Sequence, residues 1–178
     1  MYTTISLVRQ QVEEAHQFLE ATIAGVTAEQ AHWLPPGNAH PIGASYVHAI
    51  MTEDIVVNVV LKGSAPLFAT TLAGKTGFSE PMPMPGPDWQ EYAEWTRRVH
   101  VDLPAMQEYT QAVYASTIDY LSSLVSEDLE QVIDLSNVGI GQVTRAWAFS
   151  RLVIGHADNL CGEISCLKGL QGAQGYPI

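Results

Sequence analysis

The sequence predicts an all-α fold: an up-down four-helix bundle with short accessory helices and one long proline-rich connection. Three observations predict it. Four stretches, near residues 4–24, 42–62, 102–124 and 144–168, carry apolar residues at helical spacing. Asp102 and Thr144, residues suited to cap helix starts, stand ahead of two of them. An irregular run from Gly63 to Asp88, with MPMPGP near its end, parts the second stretch from the third.

In the first stretch Ile5, Val8, Val12, Leu19 and Ile23 mark one stripe, and His16 falls on it. A histidine there reads as a core residue hydrogen-bonded to a neighbour. Thr27 to Gln30 has the form of a capping box, opening a short helix that Pro35-Pro36-Gly37 ends, with Trp33 as a lid on the bundle. The second long helix runs from Ile42 to Leu61 and stops at Gly63. His48 shares a face there with Ala44, Ser45, Met51, Thr52, Ile55 and Val59, so it points inward. Glu53 and Asp54 lie off that face and read as solvated or as caps for a neighbouring loop.

The connection from Gly63 to Asp88 either covers a site or packs as a rigid arm. Trp89, Tyr92, Trp95 and Val99 suggest a short amphipathic helix lying on the bundle. Asp102 then caps the third long helix, with Pro104 in its first turn and Met106, Tyr109, Val113, Thr117, Tyr120 and Leu124 as its buried stripe. Ser126 to Glu130 reads as a short capped turn. Val132 to Leu135, followed by Gly139 and Gly141, reads as half of a small hairpin.

The last helix carries TRAWAFSRLVIGHADNLCGEISCLKGLQG from Thr144 to Gly172. At about 100° per residue, Phe149, Leu152, Val153, Asn159, Leu160 and Glu163 share the face of His156. Trp147, Ile154 and Cys161 fall on the far side. Both sides are partly apolar, which predicts burial of the second one in a homodimer, unless the long connection covers it. Cys161 and Cys166 point about 140° apart on this helix and cannot pair with each other, so Cys161 and Cys166 read as packing residues.

The chain's 178 residues predict one domain, and 47% hydrophobic against 15% charged residues excludes a disordered chain. A net charge of -11, with eight Lys and Arg scattered rather than striped, argues against nucleic acid and against acidic membrane surfaces. Asn58 and Lys62 close IVVNVVLK and Arg151 interrupts the last helix, so no membrane span is expected. The opening MYTTISLVRQQVEE lacks the apolar core of a signal peptide, and the expected location is cytoplasmic.

Four segments carry a family resemblance: HWLPPG (32–37), PIGASYVHAIMTED (41–54), HADNLCGEI (156–164) and LKGLQGAQGYP (167–177). Through them the chain resembles the DinB-like (YfiT-like) superfamily of metal-binding four-helix-bundle proteins, and the match spans enough to imply a single such domain over residues 1–178. The resemblance implies a divalent metal, zinc or nickel, held by a histidine of the second helix and an H-x-x-x-H pair on the last. Residues four apart share a helix face, and neutral imidazoles suit these ions. Carried over, the ligands are His48 and His156, and the third position falls on Leu160. His16, Asn159 or Glu163 would have to substitute, although Glu163 reads better as an interior hydrogen-bond partner.

Two functions follow from the resemblance, and neither assigns a catalytic residue. One is a small-molecule ligand bound in the bundle cavity beside a degraded metal triad, with Trp33, Trp89 and Tyr92 at its mouth. The other is a metal-dependent thiol S-transferase or isomerase using a low-molecular-weight thiol such as bacillithiol or mycothiol. In that chemistry the metal lowers the thiol pKa and aims the thiolate at an electrophile.

Overall fold

The structure is a computed structural model that describes residues 3–83 and 89–177. Helix α1 (Thr4–Ile23) starts at Thr3, whose hydroxyl accepts from the Ser6 amide while Ser6 accepts from the Thr3 amide. Thr27 and Gln30 make the same reciprocal pair ahead of α2 (Ala28–His32). Helix α3 (Ile42–Asp54) runs on as a π-helical segment, Ile55–Leu61, until Gly63 at φ 66° turns the chain away. Helix α4 (Trp89–Arg98) precedes α5 (Leu103–Ser123), which the Asp102 carboxylate caps at the Ala105 amide. Strands β1 (Val132–Asp134) and β2 (Gln142–Thr144) form a two-stranded antiparallel sheet with Ile133 opposite Val143. The final rod is α6 (Arg145–Ala148), a π-helical segment Phe149–Ile154, and α7 (Gly155–Leu170). The described residues are therefore mainly helical, with one small sheet.

Side-chain bonds give the directions of the four long rods. Between α1 and α5, Arg9 meets Ser122 and Glu20 meets Gln107, so the two run antiparallel. Glu20 meets Tyr46 and His16 meets Glu53, so α1 and α3 are also antiparallel. Tyr46 meets Thr110, Glu53 meets Thr117, and Tyr120 reaches the Leu61 carbonyl, so α3 and α5 are parallel. The last rod runs along α1: Phe149 clusters with Val12, and Lys168 donates to the Thr22 carbonyl. The order is up, down, down, up. This corrects the simple up-down alternation, and the reason is the long connection. The chain leaves the α3 rod at Leu61, level with Tyr120, and re-enters at Leu103 at the other end of α5, as a parallel pair requires.

The described part of that connection is a packed arm. Asp54 accepts from the Leu67 and Phe68 amides, fixing the 3-10 turn Leu67–Ala69. Gly77, at φ 78°, lies so close to α5 that a Cβ would stand 2.3 Å from the Met106 nitrogen. Its carbonyl accepts from Asp102, and Phe78 bridges to Val101. Residues 84–88 of the proline-rich run lie outside the described residues.

Helix α3 is buried on every side, from Ile42 through Asp54 with only His48 and Thr52 half-exposed. Its run Ile42–Leu61 has the length and hydropathy, 1.3, of a candidate membrane span, but 72% of that window is buried inside the fold. That is the signature of a central core helix. It also corrects the solvated reading of Glu53 and Asp54, which are 4% and 0% exposed. A helix without a solvent face has nowhere else to put a carboxylate.

The face of α7 also differs from the expectation. Its buried residues are Ala157, Leu160, Cys161, Ile164, Ser165, Leu167 and Lys168, a stripe centred roughly 100° from His156. Cys161 is fully buried in the core, and burial pushes its thiol up to about 11. Asn159 and Glu163 are exposed, so Glu163 is not an interior partner. Trp147 and Ile154 are half-buried. The π segment before α7 takes an extra residue per turn, which rotates α7 by about one residue step relative to a continuous α-helix.

Candidate functional site

His48 on α3 and His156 at the start of α7 face each other, both half-buried, with their Nε2 atoms 2.9 Å apart and ring centroids 4.7 Å apart. The antiparallel pairing of the two rods sets their level, and the π segment sets the direction of His156. On its other edge His48 turns Nδ1 to the Met82 thioether at 2.9 Å. A thioether only accepts, so this network assigns the proton of neutral His48 to Nδ1. His48 Nε2 then accepts from His156 Nε2–H.

Burial pushes the His48 imidazole down to about 3, and the neighbouring rings of His156 and His40 add to the shift. Burial pushes His156 down to about 4, against the raising effect of Glu53. At neutral pH the pair is uncharged. Tyr92 stands edge-on to both His48 and His40, at centroid distances of 5.5 and 5.2 Å. Burial and then the Glu163 charge raise its hydroxyl, which therefore stays a neutral donor. Trp89, 76% exposed, packs edge-on to Tyr92. Trp33 packs half-buried against the core cluster instead.

Leu160 is 6% exposed and offers only hydrocarbon. His16 does not join the pair, because its Nε2 is held by Glu53 at 2.9 and 3.0 Å and its ring stacks on Tyr114 at 3.7 Å. Among the described residues no three His, Cys, Asp or Glu side chains converge as a metal site. Nitrogens bound to tetrahedral zinc at about 2.05 Å would sit roughly 3.3 Å apart, so the two rings alone are close to ligand spacing. The set nonetheless stops at two ligands. It does not fit the three-ligand divalent centre that the resemblance implies.

Two buried carboxylates lie deeper. Glu53 accepts from Thr117 at 2.6 Å as well as bonding His16. Asp54 accepts from Tyr109 and Asn58 in addition to the two loop amides. The loop-capping reading holds for Asp54, which accepts from the Leu67 and Phe68 amides, but sequence reasoning missed the burial of both carboxylates and missed Met82 and His40 beside the pair. The high mean hydropathy of Ile42–Leu61 around Glu53 and Asp54 was the available signal, since a helix that oily is a core helix.

A model of the DinB superfamily matches residues 11–159. The chain belongs to the DinB superfamily. A solved structure described as the conserved protein of a locus from Enterococcus faecalis matches with a TM-score of 0.73 and 22% identity, covering 95% of this chain and 99% of that one. At that identity it supports a shared fold alone. No curated protein matches the chain. Two clefts formed by described residues, of about 510 and 160 Å³, lie away from the histidine pair, beside Lys75, Phe78 and Glu108 and beside His32, Pro41 and Arg97 respectively.

Proposed function

We propose that this DinB-superfamily chain is a four-helix bundle that binds a small molecule beside His48 and His156, and that its metal triad has been reduced to a histidine pair. The observation that supports the reading is Leu160, a buried hydrocarbon side chain at the sequence position that the family resemblance gives to the third imidazole. The paired rings answer each other directly at 2.9 Å, so they are satisfied without an ion. Tyr92 and Trp89 beside them offer ring edges and faces to a neutral ligand. The alternative is the thiol S-transferase or isomerase, which needs a bound zinc or nickel to activate its thiol.

Metal analysis of protein purified without a histidine tag separates the two. Far less than one zinc or nickel per chain is the expected result. One tightly held zinc or nickel ion per chain would overturn the reading and restore the thiol chemistry.

We also propose a cytoplasmic homodimer. Since Cys161 is interior, Trp147 and Ile154 are what remains of the outer strip for a partner copy. Light scattering at micromolar concentration tests this, and a mass near the 19.4 kDa of one chain would refute it.

A further inference from the structure

We propose that His48, His156 and the thioether of Met82 form a site for a soft monovalent cation, copper(I) or silver(I), in place of a divalent one. The donors are already neighbours. His48 stands between them, 2.9 Å from His156 through Nε2 and 2.9 Å from the Met82 sulfur through Nδ1. A second thioether lies behind, with the Met82 amide donating to Met51 Sδ at 3.3 Å. Both methionines are buried, Met51 at 0% and Met82 at 8% exposure.

The donor types decide which ion fits. Thioethers are soft, polarisable and uncharged, and they select copper(I) over zinc. Two imidazoles and a thioether make a sufficient set for a monovalent d10 ion, whereas zinc seeks four donors. A single positive charge also costs less to bury than a double one among neutral ligands. The charge of Glu53, which is felt at His156, favours a cation at the pair.

Closing on one ion requires a half-turn of the His48 ring. This carries Nε2 to the carbon position between the two present nitrogens, facing both partners. The unbranched Met82 side chain then swings in, with three rotatable bonds to do so. The site shares the histidine pair with the proposed ligand site but does not depend on the ligand. Loss of copper binding would leave the small-molecule reading standing, and a failed ligand screen would leave this one.

The test is anaerobic competition for copper(I) between the full chain and bicinchoninate. The expected result is one copper(I) per chain, with zinc(II) unable to displace it. Met82→Leu, which nearly conserves volume, should weaken copper(I) at least tenfold, beyond any drop in metal-free melting caused by losing the His48 Nδ1 bond. In protein carrying 13C-methyl methionine, silver(I) should move the Met82 methyl resonance, a readout that stands even if the variant folds poorly. Failure to take copper(I) from the chelator, parent-like affinity in Met82→Leu, or an unmoved Met82 methyl would each overturn the proposal. So would equal competition by zinc.

Discussion

Both carboxylate oxygens of Glu53 on α3 bond the same nitrogen of His16 on α1, at 2.9 and 3.0 Å, with both side chains almost fully buried. The bond joins the first two long helices through the interior, well away from any solvent that could replace a lost partner. Removing one member therefore leaves the other stranded. Glu53→Ala should cost about 3–5 kcal/mol of stability by urea denaturation. The double replacement His16→Phe with Glu53→Leu should cost much less, because Thr117 keeps its bond to the Val113 carbonyl. A double variant as unstable as Glu53→Ala would show that the pair does more than satisfy itself.

Asp54 holds the arm to the core. Its oxygens accept from Leu67, Phe68, Asn58 and Tyr109, all donors. Asp54→Asn replaces one acceptor oxygen by a donor facing donors, and should cost about 1–3 kcal/mol. Amide exchange at Leu67 and Phe68 should accelerate more than exchange within α5. Unchanged protection at those two amides would contradict the assignment.

The long helices were legible in the sequence because their stripes are local signals, and Asp102 and Thr144 cap where the third and fourth were due to start, although α3 begins after Pro41 with no side-chain cap. The inward placement of His48 was legible from its helix face, whereas the pairing of His48 with His156 and the third position at Leu160 came only from the family resemblance. The interior roles of Glu53 and Asp54 were not legible. A charged residue reads as solvated unless the whole helix is recognised as central, and that depends on what packs around α3. The face of α7 was misassigned because a constant 100° step does not survive the π segment Phe149–Ile154. Helix directions depend on where residues 62–102 return, which no local pattern encodes.

The histidine pair predicts an acid-side loss of stability. His48 and His156 are depressed to about 3 and about 4 in the folded chain, against 6.5 for the free side chain. The unfolded chain therefore binds more protons between those values, and stability rises with pH there. Going from pH 6.5 towards pH 4, the loss should reach about 1.4 kcal/mol per pH unit for each histidine. Urea midpoints across that range measure it. The double variant His48→Gln with His156→Gln should flatten the profile, and an equally steep profile in the variant would contradict the pair as its source.

The most direct test of the incomplete divalent site is the melting response of Leu160→His to zinc. In chelator the variant should be about 1–3 kcal/mol less stable than the parent, since it exchanges apolar packing for a poorly satisfied polar ring. At about 100 times the dissociation constant, zinc should return ~2.7 kcal/mol to the variant. The parent, with Leu160 closing the third position, should melt at the same temperature in zinc and in chelator. An equal zinc response in parent and variant would contradict the account, because the parent would then already hold a third ligand.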